Sequence, residues 1–172
     1  DCYTDMMLDF SINYNKNQIV NVDENSLHHK SNAYKRRFEG NDGKNILALD
    51  MLKRVLKSRI YVDYLLVDSW YAKPNFINEV KENGIDVIAR IANNPKIWQF
   101  TGKFKTLETL YNYAKQNKAS RLGNYNSIKY NYVSTTTTHK TLGRLKIVFI
   151  KTKDNLIPII STNTNLSDIE II

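Results

Sequence analysis

Asp68 stands where an acidic side chain could do chemistry. It follows the apolar, β-prone run Tyr61-Val62-Asp63-Tyr64-Leu65-Leu66-Val67 and opens the turn Asp68-Ser69-Trp70-Tyr71. A carboxylate just past the end of a strand buried on both sides lies in the crevice where open α/β sheets place their ligands. There it is held by a rigid element and stays within reach of a metal. The competing reading is local, because Asp favours turns, where its side chain bonds to the backbone that follows. Position alone leaves both open.

Other groupings fail on spacing. Gly40-Asn41-Asp42-Gly43-Lys44-Asn45 has two residues between its glycines where a phosphate loop has four, and it lacks Ser or Thr after the Lys, so it reads as a turn. Adjacent His28 and His29 point apart and His139 is distant, which favours a solvated loop over a metal pair. The single cysteine, Cys2, has no obvious His partner for nucleophilic work. It also excludes an intramolecular disulfide framework and a Cys-based zinc site. Tyr111, Tyr113, Tyr125, Tyr130 and Tyr132 are interleaved with Lys and Arg. They could stack on bases, although such tyrosines more often face a core.

The chain has 172 residues, 42% hydrophobic and 24% charged, enough for one domain with a substantial core. No apolar run approaches the roughly 20 residues of a membrane span. The net charge of +8 is segregated. Residues 30–59 carry nine bases and three acids, and 100–153 carry eleven and one. The stretch between them, 60–99, has four and five and holds Asp63, Asp68 and Asp86. Such segregation suggests a polyanionic partner, since neutralising phosphates releases counterions. Solvated Lys-rich faces would give the same composition.

Residues 6–12 read as a strand and the polar, Asn-rich stretch 13–45 as a long exposed loop. From Asn45 to Arg59, Ala48, Leu49, Met51, Leu52, Val55 and Leu56 recur at helical spacing, with Asp50, Lys53, Arg54 and Lys57 opposite. Residues 61–91 form a strand–helix–strand unit, the helix opened by Pro74 and stopped by Gly84, whose strands should pair in parallel. A helix at 106–117 and strands near 127–133, 144–151 and 156–161 follow, the last two as a hairpin joined at Asp154-Asn155. Ser167-Asp168-Ile169-Glu170 is a capping box, so a helix should begin at 168. That start, close to Ile172, together with a first residue that is not Met, suggests a piece cut from a longer protein.

At Leu65-Leu66-Val67-Asp68-Ser69-Trp70-Tyr71, followed by a helix and Ile85-Asp86-Val87-Ile88-Ala89-Arg90, the chain resembles bacterial insertion-sequence transposases of the DDE type. Other segments are similar in the same order. Cys2-Tyr3-Thr4-Asp5 with Leu8-Asp9-Phe10-Ser11-Ile12 looks like the strand before the family's polar loop. Tyr34-Lys35-Arg36-Arg37 and the helix at 45–59 look like its basic stretch. Ile159-Ile160-Ser161-Thr162-Asn163 with Leu166-Ser167-Asp168-Ile169 resembles the approach to the final catalytic helix. Asn163 stands where relatives often have Asp.

The resemblance implies an α/β fold: an incomplete RNase H-like mixed sheet with helices, plus a mainly antiparallel β insertion. It divides the chain into a partial core at 1–95, a basic α+β insertion at 96–155, and a return strand with the truncated catalytic helix at 156–172. The implied activity of the intact parent is metal-dependent cleavage and strand transfer of double-stranded DNA at mobile-element ends. It would use two Mg2+ (or Mn2+) ions held by three carboxylates, and the parent would act as a dimer on DNA in a bacterial cytoplasm, away from membranes. By the resemblance, Asp68 matches the second carboxylate and would be the catalytic, metal-binding residue. The first would precede Cys2, and the Glu would follow Ile172, Glu170 being too early. The fragment alone is therefore expected to be inactive and to bind no ion. Lys35, Arg36, Arg37, Lys103, Lys105, Lys129, Arg144 and Lys146 are the candidate DNA contacts. The rival readings are a non-enzymatic nucleic-acid-binding module, in which Asp68 is structural, and an interaction scaffold with merely solvated basic faces.

Overall fold

A computed structural model describes residues 7–11, 28, 30–40, 42–94, 98–102, 106–118, 120–125 and 128–172. The chain divides into two compact units, Asp1–Tyr61 and Val62–Ile172.

In the first unit, α1 (Asn32–Glu39) is capped by the Ser31 hydroxyl, which accepts from the Tyr34 N–H. The loop expected over 13–45 is corrected here, because a helix occupies part of it. Ala33, Lys35, Arg36 and Arg37 are good helix formers, and the Tyr34 and Phe38 rings stack one turn apart. No residue of α1 is buried, so it lacks the apolar stripe that marks most helices. The expected helix at 45–59 is α2 (Lys44–Lys57), with Leu47, Leu49 and Leu52 buried. Residues 7–11 carry no strand, contrary to expectation, and the rest of 6–12 lies outside the described residues. Asp9 instead ties the two helices together: its carboxylate accepts from Arg36 at 2.9 Å and from Arg54 at 2.7 Å. Burial raises its pKa, but the bonds from Arg54, the Phe10 N–H and Arg36 outweigh this and hold it below the ordinary Asp value.

The second unit is one six-stranded mixed sheet with helices, consistent with an RNase H-like core. Its strands are β1 (Tyr64–Val67), β2 (Asp86–Arg90), β3 (Arg121–Tyr125), β4 (Ile128–His139), β5 (Gly143–Lys151) and β6 (Leu156–Ser161), in the order β1-β2-β6-β5-β4-β3. β1 and β2 are parallel, joined through α3 (Pro74–Glu82), and every other pairing is antiparallel. Gly84 ends the α3 segment at φ +78°, a conformation that costs a side-chain-bearing residue dearly. The expected β5–β6 hairpin is present, its turn closed by bonds between Thr152 and Asn155.

Alternation gives the sheet two faces. One carries Val87, Ala89, Ile160, Leu145, Ile147 and Phe149, all fully buried. There α3 packs on β2 through Phe76, Ile77 and Val80, and α4 (Leu107–Asn117) packs on β4. Tyr111 of α4 lies against Phe149. At the far end of β4, His139 is buried between Trp98 and Phe100. Its Nδ1 accepts from the N–H groups of Thr141 and Leu142. This imidazole is a structural acceptor within the turn.

On the other face Tyr132, Val148 and Ile171 form a smaller core with Ile88, Tyr130, Ile150, Ile159 and Leu166. The short helix α5 (Asp168–Ile171) docks here, and the expected capping box is present in full. Tyr132 is buried and Tyr130 packs against it, so these rings serve the fold. The run 61–67 is not buried on both sides as expected. Leu66 is 71% exposed, because β1 is the edge of the sheet and nothing described covers this face of it.

What seats α5 is an ion pair. Asp168 accepts from Lys146 of β5 at 2.8 Å and from the Ser134 hydroxyl of β4 at 2.9 Å. Burial raises the Asp168 pKa, but these bonds and the charges of Lys146 and Arg121 more than offset that, leaving it below the ordinary value. The carboxyl is thus a stronger acid in the folded chain than in the unfolded one. Its contribution is complete above about pH 4, the unfolded Asp range, and is lost as pH falls through the lower folded value. Asp168→Asn should cost about 1–3 kcal/mol near neutrality by leaving Lys146 unpaired. In urea melts its deficit against wild type should shrink steadily in acid.

A second prediction concerns Gly123, where a Cβ would overlap the Tyr130 ring. The ring fills the space the glycine leaves. Gly123→Val should cost about 1–3 kcal/mol through overpacking. In a double-mutant cycle the loss should be strongly non-additive with Tyr130→Ala.

Candidate metal and nucleic-acid site

Asp68 directly follows β1, whose residues Tyr64 to Val67 pair in parallel with Asp86 to Ala89. It is exposed at the carboxyl end of the parallel pair, the position where open α/β sheets place ligands. The local role is present too. Its Oδ1 accepts from the Trp70 N–H at 2.9 Å, and its main-chain oxygen accepts from the N–H groups of Tyr71 and Ala72. The capped turn aims the carboxylate rather than consuming it, because a carboxylate has about four lone-pair sites. Trp70 beside it is 59% exposed.

The other acids of the neutral middle are not near this end. Asp86 opens β2 at the opposite end, where its Oδ1 accepts from the Thr162 hydroxyl at 2.6 Å while Thr162 Oγ1 accepts from the Val87 N–H. This latch ties the end of β6 to the start of β2. Glu170 is occupied by the capping box, accepting from the Ser167 N–H at 2.7 Å. The bonds from Ser167 hold its carboxyl below the ordinary Glu value. Among the described residues no group of three or more His, Cys, Asp or Glu could hold a metal. Asp68 thus fits as one ligand of a divalent ion, and the described residues do not complete the set.

The basic residues sort by what they touch. Lys35 and Arg37 are exposed on α1, Lys129 on β4 and Arg144 on β5. No carboxylate among the described residues pairs with any of these four. Arg36 is held by Asp9 and Glu39. Lys146, 15% exposed, is held by Asp168 and by the Leu166 carbonyl. Lys103 and Lys105 lie outside the described residues. Two further cations, Lys118 and Arg121, border a polar cavity of about 540 Å3 together with Ser134, Thr136, Lys146 and Asp168. Nothing in the local sequence singles them out, since the cavity exists only once α5 has docked on the sheet.

A model of the transposase DDE domain matches residues 14–162. No curated protein matches the chain. The match takes in β1, Asp68, the whole sheet and the basic strands, and it accords with the mixed sheet. By this match the chain belongs to the transposase DDE domain family.

Proposed function

We propose that this chain is part of a transposase that cuts and joins double-stranded DNA at the ends of a mobile element, with Asp68 as one of its catalytic carboxylates. The observation that carries the reading is the place of Asp68: exposed, held by a capped turn, and immediately beyond a parallel β1–β2 pair in a chain of this family. Membership of the family brings with it transposition-related nuclease chemistry and a divalent metal requirement.

Two Mg2+ or Mn2+ ions between three carboxylates would supply activation of the attacking oxygen and stabilisation of the leaving oxygen at phosphorus. The part of this chain is to present Asp68 from a rigid strand end, to offer oxygen ligation suited to a hard cation, and to hold the DNA backbone with cations. One carboxylate cannot hold two metals, so Asp68 acts only with two carboxylates from outside the described residues. The backbone contacts are Lys35, Arg37, Lys129 and Arg144, which no carboxylate among the described residues pairs. Arg36 and Lys146 are already engaged and act as structural cations. No helix among the described residues is long and apolar enough to cross a membrane.

The second reading, a non-enzymatic DNA-binding module, rests on the bond from the Trp70 N–H to Asp68, which would be the residue's whole purpose. Asparagine separates the two. Its side-chain oxygen still caps the turn but carries no charge for a metal. In the intact transposase Asp68→Asn should reduce strand cleavage to background while end binding and Tm stay close to wild type. Asp68→Ala should in addition lose about 0.5–1.5 kcal/mol of stability. Cleavage at a near-normal rate by the asparagine variant would assign Asp68 to the turn.

A further inference from the structure

We infer that the cavity between α5 and strands β3–β5 is a phosphate subsite that grips the DNA backbone away from the cleavage point, with Lys118 and Arg121 as its contacts; this rests on the DNA-transposase reading above. The cavity is lined mainly by polar residues, with Tyr132 and Val133 contributing apolar surface. Three cations, Lys118, Arg121 and Lys146, face one carboxylate, Asp168, so the site carries a positive excess. Lys146 lies against Asp168 at 2.8 Å and neutralises it at the floor of the cavity. Arg121 approaches the same carboxylate only to 3.8 Å and is 68% exposed, so most of its donors face solvent. No carboxylate among the described residues pairs with Lys118. The exposed Thr136 adds a hydroxyl donor. Planar guanidinium, ammonium and hydroxyl donors around a pre-neutralised carboxylate suit a tetrahedral oxyanion. A volume of about 540 Å3 falls within the range of small-ligand sites, so it also admits the sugar that a backbone phosphate carries.

The register places this subsite relative to Asp68. Val67 pairs with Ala89, Ala89 with Ile160, Ile160 with Ile147, and Ile147 with Thr135. One residue further along the same direction stand Asp68 on one side and Ser134, which holds Asp168, on the other. Four interstrand spacings separate them, about 19 Å. That equals roughly five or six base pairs of duplex at about 3.4 Å each, so one duplex can reach both. Asp168 is a positioning residue in this arrangement: it draws Lys146 out of competition and fixes the wall that Lys118 and Arg121 complete.

The test uses this chain and a mixed-sequence duplex, with the apparent affinity measured across a range of salt concentrations. Wild type should show a steep negative log–log slope. Lys118→Gln combined with Arg121→Gln should flatten it by about 1 to 2 without lowering Tm, since both side chains are largely solvent-facing. Lys118→Arg with Arg121→Lys should restore most of the slope. A steep wild-type slope that the double glutamine variant leaves unchanged overturns the subsite and spares the transposase reading. Absence of salt-dependent duplex binding by wild type overturns both. A deoxynucleoside monophosphate serves as the free-phosphate probe. Should it raise the Tm of wild type and not of the glutamine variant, with the duplex slope unaltered, the cavity belongs to free phosphorylated ligands and the duplex assignment fails.

Discussion

The arrangement of the sheet depends on β6 being accepted by two partners at once. Through Ile88↔Ser161 and Ala89↔Ile160 it joins the parallel pair that ends at Asp68. Through its whole length it joins β5, and so the basic strands. Take this strand away and the edge that carries Asp68 and the cationic face become separate structures. Its central position explains why Ile160 and Ser161 are fully buried. It also has to accommodate Pro158, which has no N–H to donate and is ordinarily excluded from central strands. The Pro158 carbonyl accepts from Ile91, just past the end of β2. In extended backbone a residue's N–H and C=O point to the same side. The donor that Pro158 lacks would therefore have faced the Ile91 carbonyl, so the β2–β6 ladder forgoes one bond at the point where β2 ends.

Net charge describes this protein poorly until its pairs are known. An excess of +8 suggests a broad basic surface, yet several of the cations are internal fittings. Arg36 and Arg54 fasten Asp9 and Glu39 within the first unit. Lys146 fastens Asp168 and thereby α5. A buried or half-buried cation of this kind stabilises by satisfying an acid that would otherwise be stranded, and it has little charge left to offer phosphate. The cations with charge to spare are those on exposed edges and rims, where counterion release is the gain.

The sequence was legible where local pattern decides the outcome. Pro74 and Gly84 bracket α3, the heptad-like leucines give α2, and the Ser167–Glu170 box gives α5, because each signal acts within a turn or two of chain. It was illegible where burial depends on neighbours distant in sequence. The run at 61–67 is as apolar as a central strand, but Leu66 is exposed because no described element packs on its face of β1. α1 has no apolar stripe to betray it. Asp68 could be located from its place after an apolar run, whereas the fate of Lys146 could not, because its partner lies 22 positions away on a helix that docks on the sheet face. Lys118 and Arg121 acquire meaning only from that same docking.

The two proposed sites of the second unit therefore answer to different physics. At Asp68 the requirement is direction: a four-residue strand and a capped turn fix where one carboxylate points, and a metal would respond to displacements well under an ångström. Around Lys118 and Arg121 the requirement is charge without rigidity, since long side chains can track a mobile backbone and the gain comes from released ions. The ion pair of Asp168 with Lys146 stands between these demands. It fixes the position of α5 on the same sheet face, and in doing so it neutralises the acid that lines the cavity. One bond thus settles both how the helix is seated and how hospitable the neighbouring cavity is to an anion.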